Sequence, residues 1–362
     1  MAHRTSVALL LVLSTALGLL VSGCQDPYLE GAKIMLNKPP DELTKSDYQS
    51  VIKSLQEAIV NGYPQNFGRY YDKLAQCYYY TGDYSLVKRS LDSATKYLPD
   101  LSDSMKIKLD GYWGDQYNKA RISVERLIKG SKDSSAALAA AAQKFVDNSM
   151  VLRSDKAENY LLLAGIYRAT DRIDESKAMY EKAKAIDPNN PDIYGIIGTV
   201  AYNSTDWDGA ITNLSKAVQL KKDANPLWFY YLGVAHLQKS QFPDAQKAFQ
   251  QKVALTPDDL PAWFNLGQAF FYEDKDVKGA IQAFEKVLTL KDDDVEALDL
   301  LGLSYLNKKV LDYDNAIRIY KKAIEFRPDK IEYWNNLAYS YKQKGMKAEA
   351  ADVEKRIKSL KK

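Results

Sequence analysis

The chain has 362 residues, 46% of them apolar, enough material for a sizeable core and too much for a globally disordered chain. Lys plus Arg total 50 against 47 Asp plus Glu, a formal net charge of +3, which argues against nucleic acid as a partner because a phosphate reader needs a concentrated basic face. Two His and two Cys exclude most histidine-based catalysis, zinc fingers, iron–sulfur clusters and a disulfide framework, so no catalytic residue, metal site or cofactor is expected.

Residues 1–23 have the form of a secretory signal. Arg4 precedes an apolar stretch from Val7 to Val21, too short for the ~20 residues that a spanning helix needs. The stretch ends in Val21-Ser22-Gly23-Cys24, which resembles a bacterial lipobox: an aliphatic residue, two small residues and a Cys. The resemblance implies a lipoprotein whose Cys24 thiol carries a thioether-linked diacylglycerol and whose freed amine is acylated, for example with palmitate. Several acyl chains exceed the one-chain limit for stable anchoring. Gln25 stands where inner-membrane retention signals place Asp, which points to the periplasmic face of the outer membrane. Apart from Cys24, the mature chain keeps one thiol, Cys77, and one imidazole, His236.

Residues 24–66 hold the lipidated N-terminus and a degenerate helical hairpin near 27–64, with Pro39-Pro40 in its connector. Residues 67–154 start with a regular unit near 68–101. A degenerate pair of helices follows near 103–129 and 134–150, joined through an exposed insertion, Gly130-Ser131-Lys132-Asp133-Ser134-Ser135. From 155 to 362 the sequence repeats itself. Small residues recur at Ala164, Gly198, Gly233, Gly267, Gly302 and Ala338, and again at Ser176, Ala210, Ala245, Ala280, Ala316 and Ala350, always 34 to 36 residues apart. Large apolar residues keep the same period at Tyr180, Leu214, Phe249, Phe284 and Tyr320, and a bulky residue opens each unit at Tyr160, Tyr194, Phe229, Trp263, Leu298 and Trp334. Within a unit, apolar residues fall at i, i+3, i+4 and i+7 in each half, with a polar turn between the halves. Each unit is therefore two antiparallel helices that bury their stripes only by stacking on neighbours.

These positions resemble the tetratricopeptide repeat (TPR) family, whose pattern is matched by Trp263, Leu266, Gly267, Phe270, Ala280 and Phe284, and by Tyr71, Leu74, Ala75, Tyr78, Gly82, Tyr84, Leu91, Ala94 and Pro99. The resemblance implies an all-α TPR solenoid, a right-handed superhelix of eight to nine hairpins, two of them degenerate. Its concave groove is lined by the first helix of each pair. Lys252 departs from the pattern, standing where the family has Ala. The family register puts Tyr79, Tyr80, Tyr202, Asn203, Tyr230, Phe264, Gln268, Phe271, Tyr272, Asn335 and Tyr339 on the groove, about half of them free of packing duties. Aromatic and amide side chains suit peptide capture, because Tyr offers large contact area at low rotamer entropy. Asn265 and Asn336 fall at a position that chaperone-binding TPR domains use as part of a carboxylate clamp, but the matching Lys and Arg are missing, so that partner is not expected.

The remaining chemistry reads as structural. His236 falls at a packing position shared with Tyr167, Phe270, Tyr305 and Tyr341 and has no second His for a metal or relay. Cys77 has no base within its repeat and reads as a buried, inert thiol. The run Asp292-Asp293-Asp294 lacks the ligand spacing of a calcium loop and reads as a helix cap. The basic end, Lys355 to Lys362, reads as a solvated cap on the last hairpin. The function expected is therefore a non-enzymatic, membrane-anchored scaffold of the bacterial cell envelope that holds a partner protein or peptide, without nucleic acid or a small-molecule substrate. The alternative is a TPR lipoprotein of an exopolysaccharide export system, binding a glycan or a porin.

Overall fold

A computed structural model describes residues 26–61, 64–130, 135–221 and 223–361. The expected signal segment, Cys24 and most of the 130–135 insertion lie outside the described residues. The chain divides into two compact units, one ending at Pro188 and one beginning at Asn189. Among the described residues every regular element is helical, and the α-helices form nine consecutive hairpins.

The first unit contains α1 (Pro27–Leu36), α2 (Lys45–Asn61), α3 (Phe67–Thr81), α4 (Tyr84–Tyr97), α5 (Ser102–Lys129), α6 (Ser135–Leu152), α7 (Ala157–Ala169) and α8 (Ile173–Ile186). Asp26 starts α1 by accepting hydrogen bonds from the Tyr28 and Leu29 N–H groups at 3.0 and 3.2 Å, and it also takes the Tyr70 hydroxyl. The helices α1–α4 share a core built on Leu29, Tyr48, Leu55, Tyr70, Leu74, Cys77 and Leu91. A second core joins α5 and α6 to α7 through Ala120, Val124, Leu127, Val146, Leu163 and Ile166. That shared core is why the hairpin α7–α8 belongs to this unit. Trp113 on α5 adds a polar link, its Nε1 donating to the buried Asn159 Oδ1 at 3.2 Å.

The second unit contains α9 (Pro191–Asn203), α10 (Trp207–Leu220), α11 (Pro226–Gln238), α12 (Phe242–Leu255), α13 (Leu260–Glu273), α14 (Val277–Leu290), α15 (Val295–Leu306), α16 (Tyr313–Phe326), α17 (Ile331–Gln343) and α18 (Lys347–Leu360). The small-residue series sits where paired helices cross. A Cβ added at Gly267 would lie 2.6 Å from the Phe284 ring, so only hydrogen fits there, and Gly198, Gly233 and Gly302 meet Leu214, Phe249 and Tyr320 in the same way. Acids cap the helices: Asp206, Asp259, Asp276, Asp294 and Asp312 each accept from a first-turn N–H. Each second helix packs against its own partner and the next first helix, while α9, α11, α13 and α15 also touch one another in succession. The first helices therefore form one continuous layer.

Lys252 does not disturb this packing. Its stem is buried and its ammonium reaches Asp259 Oδ2 at 2.6 Å, joining α12 to the cap of α13.

Candidate functional site

The eleven groove residues expected from sequence lie on first helices, and none is fully buried. Five are exposed: Tyr80, Asn203, Tyr272, Asn335 and Tyr339. The other six are half-buried, most of them against ring or core neighbours. Tyr202 stacks on Tyr231 at 4.4 Å, Tyr230 accepts a hydrogen bond from Asn265 Nδ2 at 3.3 Å, and Phe264 meets the Phe284 ring edge to face at 5.9 Å. Phe271 packs against the core cluster beneath it. Tyr79 stacks on Tyr112 at 4.3 Å, and Gln268 lines a small cavity of about 340 Å³ together with Phe264, Asp299 and Lys330. In that cavity the Asp299 carboxylate accepts from Lys330 Nζ at 2.8 Å. Asn265 and Asn336 are spent internally, on the hydroxyls of Tyr230 and Tyr320.

The first-helix layer of the second unit also exposes apolar residues that the sequence reading did not single out, Leu227 (48% exposed) and Leu303 (38%). They join Tyr272 (54%) and Tyr339 (45%), so α11, α13, α15 and α17 each present one exposed large apolar side chain. Aromatic residues at the starts of the second helices flank this face: Trp207 meets Tyr202, Phe242 meets Tyr272, and Tyr313 meets Tyr339. A sequence signal for them exists, since positions 207, 242 and 313 recur near the common period as bulky residues one step past the polar turn.

The first unit holds a separate cleft of about 660 Å³ between α3 and α5, with the start of α4 at its edge, lined by Tyr79, Tyr80, Tyr84, Lys108, Gly111, Tyr112, Asp115, Gln116 and Lys119. Only Tyr79 and Tyr80 were visible in the sequence as candidates, because α5 lies outside the regular repeat. Ion pairs close on themselves here: Lys108 binds Asp72, and Lys119 binds Asp115 at 2.6 Å. Burial opposes the charge on Asp115, but hydrogen bonds from Lys119, Tyr79 and Gln116 outweigh it and hold the carboxyl below its ordinary range. Burial raises the Tyr79 hydroxyl pKa, and its bond to Asp115 raises it further.

His236 and Cys77 have structural surroundings. His236 is buried, with Nδ1 2.7 Å from Gln241 Oε1 in the adjoining turn. The Cys77 thiol is buried in the α1–α4 core, and burial pushes its pKa up to about 12, which removes the thiolate a nucleophile would need. Asp294, the last acid of its run, accepts from the Ala297 N–H at 3.1 Å and caps α15. Among the described residues no group of three or more His, Cys, Asp or Glu is placed to hold a metal ion, and no helix is long and apolar enough to cross a membrane.

Family models described as tetratricopeptide repeats match residues 157–190 and 232–295, and one described as a TPR repeat matches residues 312–345. Among solved structures, a crystal structure of MamA protein aligns at 26% identity over 47% of this chain and 91% of that one, with a TM-score of 0.42. The crystal structure of YrrB, described as a TPR protein with an unusual peptide-binding site, aligns at 22% identity over 52% of this chain and 96% of that one, with a TM-score of 0.46. Among curated proteins none matches the chain. The chain carries tetratricopeptide repeats, and its fold is the all-α solenoid that stacked hairpins of this kind build.

Proposed function

We propose that the protein is a lipid-anchored scaffold of the bacterial cell envelope that holds an extended segment of a partner protein on the first-helix face of its second unit. The repeats support an interaction scaffold, and repeats of this kind are in general non-catalytic. The observation that carries the reading is the set of exposed side chains Leu227, Tyr272, Leu303 and Tyr339, one from each of four consecutive first helices. Stacking the hairpins does not need these side chains, and a partner that touches all four must be extended. Tyrosines that a partner buries are enriched among the few residues that carry most of an interface's energy, ~2 kcal/mol or more each, so Tyr272 and Tyr339 are the expected anchors and the two leucines the surrounding contact area.

The test is capture of the native partner from envelope extract by the mature protein. Tyr272→Ala combined with Tyr339→Ala is expected to abolish capture and to leave helicity and melting temperature nearly unchanged. This pair isolates the surface better than Phe271, which also supports the core. Capture that survives in the folded double variant removes this face as the docking surface. Acidic and basic side chains in this unit are largely paired within the chain, so capture should depend weakly on salt. Anchoring rests on Val21-Ser22-Gly23-Cys24 and is tested separately: Cys24→Ala should yield a soluble form or an uncleaved precursor. A cleaved Cys24→Ala protein that still sediments with membranes would exclude the lipid anchor.

A further inference from the structure

We infer that the tyrosine-lined cleft between α3 and α5 is a second, independent binding site, and that it takes a neutral saccharide segment. Three donors converge on a single oxygen of Asp115: the Tyr79 hydroxyl, Gln116 Nε2 at 3.0 Å and Lys119 Nζ at 2.6 Å all bond Oδ2. Among the described residues none donates to Oδ1. The carboxylate is thus fixed in orientation and ionised, and its Oδ1 faces solvent, the side chain being 42% exposed. Gln116 is itself locked, its Oε1 accepting from Asn148 Nδ2 at 3.1 Å. An oriented carboxylate oxygen facing solvent can exchange its hydration for a hydroxyl donor from a ligand.

The backbone supplies a second, unrelated observation. Gly111 lies well inside the 28-residue helix α5, where Ala would be more favourable by ~1 kcal/mol. No neighbour explains it, since a Cβ there would meet no atom within 4 Å. Gly111 is exposed and lines the cleft, so a side chain there would project into space that a ligand could otherwise use. Gly114, three residues on, also has open space around it but does not line the cleft.

The chemistry of the walls selects the ligand class. Both lysines are already paired with carboxylates, so an ion gains little by entering. Tyr80 and Tyr112 are each stacked on one face, against Tyr48 and Tyr79, and together with Tyr84 they line the cleft beside the polar Asp115 and Lys119. A ligand that presents C–H faces to rings and hydroxyls to a carboxylate, without net charge, is a sugar. The cleft's volume falls within the few hundred to ~1,000 Å³ usual for small-ligand sites. A partner bound to the second unit's first-helix face makes no use of it.

The experiment is calorimetric titration of the full mature protein with neutral oligosaccharides of glucose and of N-acetylglucosamine, alongside uronic-acid oligosaccharides and an unstructured peptide library. A neutral oligosaccharide should bind, with the acidic sugars at least about tenfold weaker, a difference of ~1.4 kcal/mol. Gly111→Ala should weaken that binding while raising the melting temperature, Gly111→Leu should abolish it, and Gly114→Ala should raise the melting temperature without changing affinity. Tyr272→Ala with Tyr339→Ala should leave sugar affinity intact, which separates this site from the proposed protein-binding face. Absence of binding by every neutral oligosaccharide, binding that survives Gly111→Leu in the folded protein, or binding confined to peptides or to acidic sugars would each overturn the inference.

Discussion

Thr205 has a φ of 56°, in the left-handed region that a β-branched residue rarely enters. It closes the turn between α9 and α10, and the same turn position recurs as Asp171, Ser240, Asp274 and Leu311, with Gly only at 82 and 345. The hairpin geometry demands this conformation whatever residue stands there, so most units hold it at a cost of ~1–2 kcal/mol. Thr205→Gly should raise stability by about 0.5–1 kcal/mol, the gain being reduced by the greater freedom of Gly in the unfolded chain. A urea midpoint no higher than that of the parent would show that Thr205 makes compensating contacts. The opposite case is Gly267, where the Phe284 ring occupies the space of a side chain. Gly267→Leu should cost ~1–3 kcal/mol or more by forcing two crossing helices apart. The half-buried Lys286→Ala, which removes only a 3.6 Å pair with the exposed Asp258, should change stability by ~0.5 kcal/mol or less. Equal urea midpoints for these two variants would remove the crossing-point assignment.

Between elements, the Lys252–Asp259 pair does the work that a small residue does in other units. Lys252 brings an ammonium into a buried position, and the Asp259 carboxylate both neutralises it and accepts from the Ala262 N–H at 3.0 Å to cap α13. The two substitutions are therefore unequal. Asp259→Ala removes a cap, worth ~1 kcal/mol, and strands a buried charge, for a total of about 3 kcal/mol. Lys252→Ala restores the family's small residue and leaves a carboxylate that is a quarter exposed, so it should cost less than half as much. Denaturant midpoints of both variants check the order, and a larger loss for Lys252→Ala would contradict it. At the same scale, α5 shows how a helix outside the repeat is tied in. Trp113 stacks on Tyr117 at 5.1 Å, carries Lys156 over its ring and bonds Asn159, so Trp113→Ala should loosen the joint of α5 with α7.

For the whole molecule, titration sets the limits of stability. The hydrogen bond from Arg153 holds the Asp155 carboxyl below its ordinary range, and Lys247 does the same for Asp244. Such groups stabilise the fold above the unfolded carboxylate pKa of ~4, and that contribution is lost as pH falls through their lower folded values. Burial acts in the other direction on the phenols, pushing Tyr48 up to about 12 and raising Tyr112 and Tyr320 as well. A raised phenol contributes stability that is complete below ~10 and lost as pH climbs through the folded value. Thermal midpoints should accordingly form a plateau between about pH 5 and 9 and fall on both sides, with the alkaline fall tracking Tyr ionisation in the ultraviolet. A melting temperature that stays level to pH 12 would contradict the buried-phenol assignment.

The period of 34 to 36 residues was legible in the sequence because stacking makes the same demand in every unit: a small residue where helices cross and a large one to fill the facing space. Leu214, Phe249, Phe284 and Tyr320, all named from that period, are fully buried. The two irregular hairpins could be placed as helices, since local spacing and Pro or Gly punctuation act within one element. What periodicity left open is how a side chain near the boundary divides between core and surface. Phe271 and Tyr272 are adjacent rings on one helix, yet one rests on the core and the other stands half exposed, a difference set by the neighbouring helices. The cleft of the first unit was illegible for the same reason. Tyr79, Tyr112 and Asp115 are brought together by the packing of α3 against a helix that follows no repeat, and the convergence of three donors on one carboxylate oxygen exists only once that packing is made.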